Sequence, residues 1–289
     1  LGPVRLQPSE VAKLAWLVFL SWYLSTRQEK LLDWREAWIV PIGMLAVIGT
    51  LLMAEPDFGS TIICTGMMVL MVWAAGGSTL HVLLLGVVGI FLMAAAIMAE
   101  PYRLKRLQAF FFPENDTLGV SYHINQALIS FASGGWHGLG LGESRQKLMY
   151  LPEAHTDFIF SIMGEELGLM GVATVVCLFS VFAWRGFGIA RRSPSAFGSL
   201  LAYGITAQVG FQAVTNMAVA TAMLPTKGLT LPFVSYGGSS LLTMGLAVGI
   251  LLNISRREPP PAWMHRLFPD DAAPKAKVTR KRTVGGMAA

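Results

Sequence analysis

Acids and a histidine stand where the chain turns from polar to apolar. Glu153, His155 and Asp157 lie in Leu151–Asp157, followed by Phe158–Met163 and then Gly164-Glu165-Glu166-Leu167-Gly168. A carboxylate at such a boundary is costly unless it is used or paired. The placement suits chemistry at a bilayer surface, on a substrate that is itself part lipid. On a helix, Asp157, Ser161 and Glu165 share one face and form a polar stripe descending into apolar surroundings. Each has a plainer reading: Thr156-Asp157 as a helix cap, Glu165 and Glu166 as partners of a cation on a neighbouring helix. A helix start favours the charged carboxylate and partial burial opposes it. That balance suits a general base.

Lys13, Glu100, Arg103, Arg106, Lys147 and Lys227 are placed at the same level as Asp157. One carboxylate base with several cations fits transfer from a diphosphate-linked donor, because cations stabilise charge growing on the leaving group. A divalent ion such as Mg²⁺ would share that work, but no metal-ligand spacing calls for one and no cofactor is assigned. Glu10 and Lys13, three residues apart, can neutralise each other; pairing for structure and use in function are equally open. Glu55 and Asp57, on either side of Pro56, read as a solvated turn. Ser239 belongs to Ser235-Tyr236-Gly237-Gly238-Ser239-Ser240, small residues that let helices approach closely. The glycine-rich stretch Ser133–Gly142 has no strand before it and no βαβ unit around it, which excludes a nucleotide fold. Its glycines permit tight turns and close backbone approach.

The elements that must hold these groups are apolar. Of 289 residues 54% are hydrophobic and 13% charged, with mean hydropathy +0.55. Soluble domains carry about 25% charged residues. Segments near 9–26, 37–54, 58–75, 79–98, 157–184, 196–223 and 231–254 are each long enough to cross about 30 Å of hydrocarbon. They are continuous rather than alternating, so they read as helices and not as barrel strands. Arg27, Lys30 and Arg35 follow the first span, Arg185, Arg191 and Arg192 the fifth, and a basic tail the last; the positive-inside rule puts these regions in the cytoplasm. Residues 99–156 then form a large loop outside, with Phe110–Phe112 and Trp136 resting at the interface. The net charge of +5 sits largely in the tail and signals no nucleic acid. Residues 1–256 read as one membrane domain and 257–289 as a disordered basic cytoplasmic tail. Cys64 and Cys177 read as two small buried hydrophobes. The chain opens Leu1-Gly2-Pro3 with no initiator Met, as a fragment would.

Several long motifs occur in order. They are Gln7-Pro8-Ser9-Glu10 with Lys13; Glu55-Pro56-Asp57-Phe58-Gly59; Glu100-Pro101-Tyr102-Arg103; Gln146-Lys147 with Tyr150–Phe160; Gly164–Gly168; Leu224–Pro232; and Ser235–Ser240. Together they resemble the SEDS family of bacterial membrane proteins (shape, elongation, division and sporulation). The wording Glu-Ala-His-Thr-Asp and Pro-Thr-Lys-Gly-Leu-Thr-Leu-Pro is closer to the division branch than to the elongation branch. Phe112–Thr117 departs from the family's usual Asp/Asn-Pro-Trp-x-Asp-Pro pattern, so no substrate contact is carried over to it.

The resemblance implies an all-α polytopic membrane protein of ten spans, seven of them here and about three preceding this chain. It implies a peptidoglycan glycosyltransferase that polymerises lipid II, with Asp157 as the essential carboxylate and undecaprenyl diphosphate leaving. Lys13, Glu100 and Lys227 match positions of functional weight, and Arg103, Arg106, Lys147, His155 and Ser239 complete the candidate binding set. The implied partners are a class B penicillin-binding protein (a transpeptidase) and other division proteins, at the septum of the inner membrane, with the site facing the periplasm. Two rivals stand beside it. A lipid II flippase would show broken helices at mid-membrane and an internal repeat, neither of which the sequence displays clearly. A non-catalytic scaffold would need no carboxylate at position 157.

Overall fold

The computed structural model describes residues 7–55, 57–112, 120–144, 146, 156–225 and 228–256, and every regular element among them is helical. Helix α1 (Pro8–Ser25) begins on a proline, tolerated there because a first-turn N–H has no intrahelical partner. A short wide turn at Arg35–Ile39 leads into α2 (Val40–Ala54). Then come α3 (Phe58–Ala74), α4 (Thr79–Met98), α5 (Pro101–Phe111) and α6 (Val120–Gly134). Three long helices close the bundle: α7 (Ile159–Arg192), α8 (Ala196–Ala220) and α9 (Gly238–Ser255).

Helix α8 is the hub and packs on α1, α3, α7 and α9. Trp16, Leu17, Leu20 and Leu24 of α1 meet Ile63, Met67 and Met71 of α3 and Ile205 of α8 in the main core. The Trp16 indole N–H donates to the Cys64 carbonyl at 3.0 Å. Two smaller clusters flank the start of α7. One joins Phe158 and Ile162 to Ala127 and Val219; the other joins Phe160 to Val175, Ala213, Ala220 and Leu231.

Arg35–Ala54, Thr79–Met98, Ile159–Arg192 and Gly238–Ser255 are long and apolar enough to cross a membrane, and Phe58–Ala74 is a shorter apolar helix. Helices α1 and α8, also expected to span, fall outside that group. Their positions explain it: α1 buries Glu10 and Lys13, and α8 buries Gln208, Gln212 and Asn216, so their polar groups face protein rather than lipid. The reverse holds for α4, the most apolar of the four and with no buried residue.

The fold corrects four expectations. Residues 99–156 hold two helices, α5 and α6, rather than only a loop. Helix α9 starts at Gly238, not near 231: Leu231–Ser235 forms a turn in which the Ser235 hydroxyl accepts from the Leu231 N–H at 2.7 Å and Phe233 sits at φ 65°. Cys177 is exposed on the outer side of α7, while Cys64 is buried as expected. The fifth span is longer than read and is broken at Gly168, with φ 65° and ψ −166°. From Gly168 to Arg192 the helix rises about 37 Å at 1.5 Å per residue, enough to cross about 30 Å of hydrocarbon alone. Ile159–Leu167 is therefore a separate half-helix beyond the span proper. The tail after Arg256 lies outside the described residues.

Candidate active site

Asp157 lies two residues before Ile159, where α7 starts, and one before its N-cap Phe158. Phe158 and Phe160 are buried on either side of the bundle seam, at 5% and 2% exposure, while Asp157 is only half-buried. Two side chains from other elements hold this turn. The Asn216 amide of α8 donates to the Asp157 carbonyl at 2.9 Å and to the Leu229 carbonyl at 2.6 Å. The Ser235 hydroxyl donates to the Thr156 carbonyl at 2.6 Å. The start of α7 and the stretch before α9 are thus locked together through backbone carbonyls. The Asp157 Oδ2 lies 3.4 Å from where a Cβ on Gly228 would stand.

Gly228 also borders a cavity of about 580 Å³ at this end of the bundle. Its walls include Gln7, Glu55, Asp57, Phe58, Glu100, Arg103, Arg106 and Pro225. Asp57 caps α3, accepting from the Ser60 N–H at 2.9 Å and the Ser60 hydroxyl at 2.7 Å, so it does more than fill a solvated turn. Glu100 is the N-cap of α5 and is exposed. Arg103, one turn on, donates to the Ala96 carbonyl at 2.9 Å and places its guanidinium 4.8 Å from the Phe58 ring centre. Arg106 stacks on Tyr102 and bonds its hydroxyl. Helix α5 therefore presents Glu100, Arg103 and Arg106 to one cavity, as an i, i+3, i+6 spacing on a helix requires.

Lys13, placed with them from the sequence, does not line this cavity. Its ammonium is 1% exposed and bonded to Glu10 Oε1 at 2.7 Å. A lysine so buried and neutralised braces α1 from within. Ser239, at the head of α9, accepts from the Gln7 N–H at 2.9 Å and ties α9 to the start of α1. Lys147, His155 and Lys227 lie outside the described residues, as do Pro113–Thr117 of the departing stretch. Among the described residues no three His, Cys, Asp or Glu side chains converge to hold a metal ion, although Glu55, Asp57 and Glu100 all line the cavity.

Residues 1–259 match the family model FTSW_RODA_SPOVE, described as a cell cycle protein. The chain belongs to this family. Stage V sporulation protein E of Bacillus subtilis is 41% identical over 255 residues, which cover 88% of this chain and 70% of that protein. The probable peptidoglycan glycosyltransferase FtsW of Halomonas elongata is 45% identical over 270 residues, 90% of this chain and 68% of that one. A chain from a peptidoglycan synthase complex, studied for the structural coordination of polymerization and crosslinking, superposes with TM-score 0.71 at 30% identity and covers 89% of this chain and 71% of that one. This FtsW/RodA/SpoVE family member is thus an all-α, multi-pass membrane protein.

Asn216 and Ser144 were not among the residues singled out from the sequence, and Ser235 was read only as part of a small-residue motif. Asn216 carried a signal: Gln208, Gln212 and Asn216 recur every fourth residue in an otherwise apolar helix, a polar face that must be buried in protein. Ser144 carried none, and the motif around Ser235 did not show its partner, because a serine that bonds a distant residue looks like any other small residue in a loop.

Proposed function

We propose that this chain is the catalytic membrane part of a peptidoglycan glycosyltransferase that polymerises lipid II, with Asp157 as general base. The observation that supports it is the Asp157 carboxylate beside Gly228, at the border of a cavity walled by Arg103, Arg106 and Glu100. Asp157 takes the proton from the GlcNAc 4-hydroxyl of the acceptor. The freed oxygen forms a bond to the MurNAc anomeric carbon of the donor with inversion, and the bond from that carbon to the diphosphate breaks. Undecaprenyl diphosphate departs with the electron pair. Arg103 and Arg106 offset its charge, with Lys147, His155 and Lys227 assigned to the same task; Lys13 and Ser239 support the scaffold. Grooves between helices take the polyprenyl chains.

The basic groups Arg27, Lys30, Arg191 and Arg192 stand at the end of the bundle opposite Asp157. By the positive-inside rule that end is cytoplasmic, so the reaction runs on the periplasmic side. The partner is a class B penicillin-binding protein, which would cross-link the strands made here, and the place of work is the division septum with other division proteins.

The break in α7 favours one alternative, a lipid II flippase, since transporters build sites from broken helices. Here, however, the backbone groups freed by the break are bonded to the segment after α6, and a break so filled offers no ligand site. The test uses the full-length protein with its transpeptidase partner and fluorescent lipid II. Asp157→Asn should lower polymer formation by on the order of 10²–10⁴-fold with the complex intact. Polymer at the parent rate would refute the assignment; lipid movement across vesicles without polymer would establish the flippase.

A further inference from the structure

The break in α7 is filled by a specific piece of backbone. In an unbroken helix the Leu169 and Met170 N–H groups would donate to the Glu165 and Glu166 carbonyls. Instead Leu169 donates to the Gly135 carbonyl at 2.9 Å and Met170 to the Trp136 carbonyl at 3.3 Å. The orphaned Glu165 and Glu166 carbonyls accept from Leu139 and Gly140, both at 3.0 Å. Two helical bonds are lost and four bonds to the loop replace them. The approach needs glycine on both sides. A Cβ on Gly138, at φ 80°, would overlap the Glu166 carbonyl, and one on Gly168 would overlap the Gly138 nitrogen.

A side chain completes the contact. Glu165 is 1% exposed, and its Oε2 accepts from the Ser144 hydroxyl at 2.5 Å and from the Gln146 N–H at 3.4 Å. The segment that leaves α6 is therefore fastened to the half-helix Ile159–Leu167 twice, through backbone at its start and through this carboxylate at its end. Asp157 lies eight residues back along the chain, in the turn that enters this half-helix two residues before Ile159. Severed from the span at Gly168, that half-helix takes its position from what is bonded to it.

We infer that Glu165 is a positioning residue: together with the loop seated in the α7 break, it fixes the half-helix that carries Asp157 against the cavity. The inference rests on the glycosyltransferase reading and deepens it. A base displaced by about 1 Å loses on the order of 10²-fold in rate. Loosening the clamp should lower kcat while substrate binding, which depends on other walls, persists.

The experiment compares Glu165→Ala and Glu165→Gln in the full-length protein with its partner, by lipid II polymerisation kinetics and amide hydrogen exchange. Glu165→Ala should lower kcat by on the order of tenfold or more, with KM within about twofold, and should speed exchange at Leu139 and Gly140. Glu165→Gln keeps an oxygen for Ser144 and should restore kcat to within about threefold of the parent. If Glu165→Ala does not fold, Ser144→Ala opens the same contact from the loop side and should shift kcat and exchange the same way. Faster exchange with kcat unchanged overturns the inference, and so does Glu165→Gln as slow as Glu165→Ala, which would mean that the charge itself acts. Normal polymer from Asp157→Asn would refute the underlying glycosyltransferase reading instead, and is read in a separate variant.

Discussion

Lys13 and Glu10 hold opposite charges where neither lipid nor water reaches, at 1% and 7% side-chain exposure. Removing one partner of such a pair leaves an uncompensated buried charge and costs about 3–5 kcal/mol. Replacing both with apolar residues of similar volume removes the desolvation penalty together with the attraction. Lys13→Met should therefore lower the thermal midpoint in detergent strongly. Glu10→Met combined with Lys13→Met should recover most of the loss. If the double variant is stable but inactive in the polymerisation assay, the pair serves the reaction as well as the scaffold. At the same scale Asn216 holds two carbonyls from different segments with one amide, which fixes the turn that bears Asp157.

Among the helices, α7 does two jobs that an unbroken helix could not combine. Its long part is long and apolar enough to cross the membrane, and its short part follows a carboxylate set beside a cavity lined from α5 and by Pro225 and Gly228. Gly168 makes the division possible, because its φ of 65° with ψ −166° is a conformation essentially closed to residues with a Cβ. Gly168→Ala should cost at least about 1–3 kcal/mol from strain alone, with overlap against the Trp136–Gly138 backbone added. Gly210, inside α8, is the contrast, since a Cβ there meets open space. Gly210→Ala should be neutral or stabilising by about 0.5–1 kcal/mol. Thermal midpoints of the two variants in one detergent test the difference; equal shifts would contradict the account of the break.

Across the whole molecule, charge is divided between the two ends. Arginines that follow α1 and close α7 gather at one end, and the cavity with Asp157 lies at the other. The proposed orientation follows from that division. In a background with Cys64 and Cys177 replaced, Glu143→Cys should react with a membrane-impermeant maleimide in cells whose outer envelope has been opened. Ser193→Cys should react only after the inner membrane is breached. The reverse pattern would place the site in the cytoplasm and remove it from a growing cell wall.

The amino-acid sequence by itself determined the class, the early spans and the candidate site residues. Continuous apolar runs put α3 and α4 within a residue of their observed limits, because hydrocarbon thickness leaves little choice of length. Residue types near Asp157, and the ordered motifs around them, singled out Asp157 as the candidate base together with the arginines of α5, which line the cavity. Tertiary structure alone decided which charges reach the cavity and how the base is held. Lys13 and Arg103 look alike in sequence, yet one is neutralised inside the bundle and the other braces the cavity wall, because only packing tells whether a cation meets a carboxylate three residues away or a carbonyl on the preceding helix. The break at Gly168 was equally hidden. Glycine is common in membrane helices, and whether one interrupts a helix depends on whether a distant loop arrives to take up the hydrogen bonds it releases.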